Sequence, residues 1–224
     1  MAIVDAVEAR SAQLAPGPSG WLTGWRLTWT LVLLIAVGTT AVAVVAGGVA
    51  GANEGIRITA RTSAVLFLLA FTASSAYRLW PNNFTRWVRT NRRYLGVGFA
   101  GSHLVHAGFI VASVVLSSER FKAGVERTPH AVYALDTVAY GFLIAMTVTS
   151  FDRIAKRMQY ATWRRLHVTG NYVIWLTFFV AYWRRGITYP LFYGPFLLII
   201  LAALVIRAVG KSRRASVPTS PGSG

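Results

Sequence analysis

The sequence predicts an all-α polytopic membrane protein, a bundle of six transmembrane helices. Three observations carry this reading. Apolar residues make up 54% of the 224, and the mean hydropathy is +0.49. Charges also fall in short clusters between nearly charge-free windows of about 20 residues, the length a helix needs to cross a bilayer core. Helices of a soluble core would instead alternate apolar and polar faces.

The formal net charge is +16, which could indicate a nucleic-acid binder. Its placement excludes that class, because the basic residues lie between apolar windows, where loops meet anionic lipid and the cytoplasm. The absence of cysteine excludes disulfides, iron–sulfur clusters, thiolate-ligated haem and covalent c-type attachment. Asp5 and Glu8 precede a Pro/Gly-rich stretch at 15–20 and do not fit a signal peptide. The first apolar run is therefore expected to stay in the membrane.

Residues 1–23 read as a polar tail, residues 24–210 as the transmembrane domain and residues 211–224 as a disordered Ser/Pro-rich basic tail. The first span covers 25–50, with Trp21, Trp25 and Trp29 suited to an interfacial belt, and Gly47, Gly48 and Gly51 lead into a short loop carrying Glu54. Span two, 56–80, ends at Pro81 and opens with Arg57 and Arg61 one turn apart on one face. An arginine-rich loop leads to span three, 95–116, and a polar loop to span four, 130–149. A second basic loop precedes span five, 166–183, and span six covers 189–209. Six spans put both termini on one side. Sixteen of the 23 Lys and Arg lie on that side and seven opposite, so the termini are expected in the cytoplasm.

Chemistry centres on span three. His103 and His106 lie inside it, where ionisable side chains are costly and face a protein interior or a bound group. The small residues Gly96, Gly98, Ala100, Gly101 and Ser102 let a neighbouring helix or a flat cofactor approach the backbone. Neutral imidazole is the commonest metal ligand, so haem is the first candidate. His167 begins span five, and His130 opens span four beside Pro129, where capping or solvation is its default role. Asp136, the one carboxylate well inside a span, is expected to pair with Arg61 across the bundle. Trp175, Phe178, Phe179 and Tyr182 read as packing and belt residues. No Gly-rich nucleotide loop is present, so any reductase activity needs a partner or a lipid-soluble donor.

Three pieces taken together carry a resemblance: Arg92-Arg93-x-Leu95-Gly96 followed by His106, the run from Leu143 to Ser150, and Trp163-x-x-Leu166-His167-x-x-x-x-Tyr172. Over residues 56–185 the chain resembles the ferric-reductase-like transmembrane domain family. Within it, the chain is most similar to the bacterial haem-binding membrane subunits of periplasmic methionine sulfoxide reductase systems. The resemblance implies b-type haem, one or two, between the third and fifth spans, with His106 and His167 as iron ligands. It also implies residence in the bacterial inner membrane and electron relay from a cytoplasmic flavin or quinol donor, with FMN or a quinone as a further candidate cofactor and a redox protein as partner. Arg92 stands where the wider family carries an earlier ligand. Arg61 and His103 are the remaining cofactor-binding candidates, Arg61 for a haem propionate.

The family pattern places two ligands on each of those helices, about four turns apart. The position of the later ligand on span five is Val180, which cannot bind iron. His106 lies about 20 Å along its helix from Arg93, and His167 about 3 Å from Arg165. A tilted haem, separate haems for the two histidines, or loss of one site are all compatible with this. The competing class is a degenerate, non-redox membrane subunit.

Overall fold

The computed structural model describes residues 22–119, 122, 126 and 128–215. Among them all regular structure is helical: α1 (Gly24–Ala46), α2 (Gly48–Leu79), α3 (Asn83–Thr90), α4 (Arg92–Leu116), α5 (His130–Val148), α6 (Asp152–Ala155), α7 (Tyr160–Thr188) and α8 (Pro190–Ala215). Five are long and apolar enough to cross a membrane, namely α1, α2, α4, α5 and the Pro190–Arg213 part of α8. Expected span five lies in α7. That helix is long, but His167, Thr169, Asn171, Tyr172 and Thr177 dilute its apolar middle. The rest of the expected tails, residues 1–21 and 216–224, lies outside the described residues, while 211–215 continue α8.

α2 is the central post, packing against α1, α4 and α8. Its core face carries Ala64, Phe67, Ala70, Phe71 and Ala73, all buried. α7 packs against α5 and α8, whereas α4 and α7 make little direct backbone contact. The outer surface is studded with exposed Leu33, Leu34, Val45, Leu104, Val115 and Leu191, as expected of helices facing acyl chains.

Two loops differ from the sequence reading. Where span one was expected to run to 50 and a short loop carrying Glu54 to follow, α1 ends at Ala46 and α2 begins at Gly48. Gly47 (φ 69°) and Gly48 (φ 49°) make the reversal in the left-handed region open to glycine. The arginine loop before span three contains α3, started by a reciprocal cap in which Asn82 and Thr85 exchange side-chain and backbone hydrogen bonds. Asn91, at the joint of α3 and α4, accepts from the Gly24 backbone N–H at 3.0 Å, and Thr28 donates to the Tyr94 carbonyl at 2.9 Å. These bonds tie the start of α1 to the start of α4.

Candidate functional site

The small residues of α4 serve its neighbours. A Cβ at Gly101 would crowd Val32 of α1, and Ser102 bonds Ser63 of α2 at 2.9 Å. Beside that closed face stand His103 and His106, which line the space towards α5 and α7 while His106 still reaches Thr59 of α2. There the bundle leaves a cavity of about 640 Å³, walled by Phe99, His103 and His106 of α4, by Asp136 and Tyr140 of α5, and by Phe178 of α7. It extends to Thr128, Thr188 and Tyr189 at the ends of α5 and α7. That end is the one opposite the basic loops.

Hydrogen bonding fixes the chemistry of His106. Thr59, fully buried on α2, lies 2.6 Å from the Gly55 carbonyl and 2.9 Å from His106 Nδ1. Two oxygens that close need a proton between them, so the Thr59 hydroxyl donates to Gly55. Towards His106 it can then only accept. Nδ1 therefore carries the ring proton, and Nε2 keeps a lone pair. This is the arrangement by which outer hydrogen bonds orient a metal-binding imidazole.

His103 is placed differently. Its ring stacks on His106 with centroids 5.1 Å apart and planes at 24°, and it meets Tyr140 at 5.2 Å. Its Nδ1 is buried without a hydrogen-bond partner, an unmet demand inside an otherwise aromatic wall. Beneath it Phe99, Phe178 and Phe67 pack with centroids 5.4–5.9 Å apart. Phe71 and Tyr172 continue that packing.

His167 is not among the residues walling the cavity. Its Nε2 lies 3.0 Å from Thr149 Oγ1, which donates to the Ala145 carbonyl at 2.7 Å. By the same logic Nε2 is the protonated nitrogen. The ring also stacks on Trp163 at 4.2 Å, and the Trp163 indole donates to the Thr149 carbonyl. These contacts clip the end of α5 to the start of α7, and only Nδ1 of His167 is left as an acceptor.

The arginines are distributed otherwise than expected. Arg61 lies over the Phe196 ring at 5.9 Å, and no ion pair joins it to Asp136 among the described residues. The expected pairing is thus corrected: Asp136 faces the cavity with Arg184 and Arg185, at the far end of α7. Arg61 and Arg92 do not wall the cavity; Arg184 and Arg185 do, and sequence reasoning passed over them as topology charges. Arg207 was likewise counted only as a terminal cation. In the structure it donates to the Phe71 carbonyl at 2.8 Å and lies over Phe71 and Tyr172 at 4.2 and 4.9 Å.

Among the described residues no three His, Asp or Glu gather as a ligand set for a bare ion. Porphyrin iron brings four nitrogens of its own and needs one or two from the protein. Haem fits what is present: a lone-pair imidazole at His106, aromatic walls, an outlying orphan nitrogen at His103, and two guanidiniums for carboxylates at the rim. No family model, curated protein or solved structure matches the chain.

Proposed function

We propose that this chain is a membrane b-type haem protein that relays electrons from a cytoplasmic flavin or quinol donor to an acceptor on the opposite face. The observation that carries the reading is the Gly55–Thr59–His106 relay, which leaves His106 Nε2 with a lone pair beside a cavity of about 640 Å³. Bound haem supplies a one-electron iron couple. His106 holds the iron, Thr59 holds His106, and Phe99, Tyr140 and Phe178 keep water from the ring. Arg184 and Arg185 neutralise the propionates at the rim. In this reading α7 is span five and completes the six, with Asn171 buried and His167 and Thr177 half-buried against its neighbours, and both termini lie in the cytoplasm of a bacterial cell.

A reduced-minus-oxidised spectrum of the purified chain, with haem released into pyridine and quantified, tests this. One b-type haem per chain is the expected result, and a colourless, iron-free preparation overturns the reading. The second reading, a structural membrane subunit without redox chemistry, draws on His167, whose Nε2 is committed to Thr149.

A further inference from the structure

We propose that Arg78, Arg92 and Arg207 form a phosphate site at the basic-loop end of the bundle, and that it takes the headgroup of an anionic phospholipid. Arg92 stands about 21 Å along α4 from His106, at 1.5 Å per residue. The site is therefore separate from the cavity and independent of the haem reading.

The three cations come from three helices, and all are half-buried. Arg78, in the last turn of α2, donates from Nε to the Ser74 carbonyl at 3.1 Å. Arg207 of α8 donates from Nη1 to the Phe71 carbonyl at 2.8 Å. Those two carbonyls lie about 4.5 Å apart along the α2 axis, so the two guanidiniums hold adjacent turns of one helix. Each bond uses one of the five N–H donors of its guanidinium. Arg92 opens α4, directly after the short α3, and the charges acting on it are those of Arg207 and Arg78.

Like charges gathered in a half-buried place repel more strongly than in water and call for an anion. Asp152, the carboxylate described at this end, is held by Arg93 at 2.7 Å. Arg92 and Arg207 join none of the ion pairs among the described residues. A phosphate meets the demand, because its oxygens match the guanidinium fork. The level in the membrane points to a lipid as its source. Trp80, which closes α2 just beyond Arg78, is 55% exposed, as suits a tryptophan at the membrane–water boundary. Basic groups between helices at that level take up phospholipid headgroups. Beside them α2 and α8 leave an apolar groove of about 270 Å³, lined by Leu79, Val205, Ile206 and Val209, close in sequence to Arg78 and Arg207. Such a groove seats an acyl chain, which a soluble phosphate lacks.

The test uses the full-length chain in nanodiscs of phosphatidylcholine, with and without phosphatidylglycerol, read by thermal melting and by native mass spectrometry of the released protein. The expected result is one phosphatidylglycerol kept per chain, preferred over phosphatidylcholine by about 100-fold, roughly fivefold for each arginine, with a higher melting temperature. Arg92→Gln should lose about fivefold of that preference. Relieved of repulsion, it should melt no lower than the parent in phosphatidylcholine. Arg164→Gln, which removes an exposed cation of the same end, should keep the preference. Equal retention of the two lipids by the parent overturns the proposal, whatever the variants do. An equal loss in Arg164→Gln also overturns it, by showing general surface attraction. So does an Arg92→Gln protein that melts lower in both lipids with its preference intact, which would give Arg92 a packing role. Inorganic phosphate that reproduces the stabilisation in phosphatidylcholine alone overturns the lipid as occupant.

Discussion

The hydroxyl of Thr59 lies 2.9 Å from Nδ1 of His106 and 2.6 Å from the Gly55 carbonyl, one turn back on its own helix. The contact joins α2 to α4 at the level of the cavity and decides which imidazole nitrogen bears the proton. Thr59→Val keeps the branched shape and removes the relay. It is expected to weaken haem retention by about 10–100-fold, the usual cost of losing an outer-sphere partner, and Thr59→Ser should restore it. Retention measured by transfer to apomyoglobin, together with the Soret position, checks this. A purely structural threonine would leave both unchanged in Thr59→Val.

His106 and His167 were equivalent candidates in the sequence, but their surroundings predict opposite results. His106→Ala removes the imidazole that Thr59 orients at the cavity, and haem is expected to be lost. His167→Ala removes a bond to Thr149 and a stack on Trp163. It should keep haem and cost about 1–3 kcal/mol of stability. Haem content and thermal melting of the two variants in detergent separate the roles; haem lost from His167→Ala alone would reverse the assignment.

The helix content and five membrane-length helices were legible because apolar length is a property of each segment alone. The loop expected between 50 and 56 was misplaced because glycine reads as a breaker, whereas here two positive φ angles at Gly47 and Gly48 make the whole turn. Asp136 was recognised as unusual, but its neighbours were not. Arg61 and Arg184 lie on different helices, and only the packing decides which of them shares a cavity with the carboxylate. A threonine in an apolar helix, such as Thr59, gives no sign that it holds a histidine 47 positions later. Helix-depth reasoning did expose the difficulty of pairing His106 with His167.

Arg93 donates to Asp152 at 2.7 Å and lies over the Trp25 ring at 5.4 Å. The hydrogen bond from Arg93 holds the Asp152 carboxyl below its ordinary value of 3.8. A carboxyl with a depressed folded-state pKa contributes stability above the ordinary value and loses it as pH falls through the depressed one. The link between α4 and α6 should therefore persist at neutral pH and release only below about 4. With only three aspartates in the chain, carboxyl-¹³C labelling of Asp resolves the titration. Arg93→Gln should return Asp152 to its ordinary range. No movement in that variant would show that the guanidinium does not set it.

Arg207 joins three helices through one guanidinium, bonded to the Phe71 carbonyl and stacked on Phe71 and Tyr172. Arg207→Met keeps much of the stem and removes the planar cation. The expected loss is about 1–3 kcal/mol, the sum of a modest hydrogen bond and partly screened cation–π contacts. Arg207→Lys should recover little, since an ammonium reproduces the charge but not the planar fork. Thermal unfolding in nanodiscs measures both, and equal stability of Lys and Arg would show that charge alone matters.

The α1–α2 hairpin offers the sharpest steric test. A Cβ at Gly51 would collide with the Ala43 carbonyl oxygen, and that atom is backbone with no rotamer to escape into. Gly51→Ala must therefore push the two helices apart, at about 1–3 kcal/mol. Gly96 of α4 has nothing within 4 Å of the same added atom. Gly96→Ala should be neutral or gain up to about 1 kcal/mol from helix propensity. Because α1 also packs on α4, and α4 carries His106, Gly51→Ala should loosen the cavity wall as well as the hairpin. Its haem retention is expected to fall with its melting temperature, whereas Gly96→Ala keeps both. A Gly51→Ala protein that melts like the parent would show that the Ala43–Gly51 contact does not set the spacing of the hairpin.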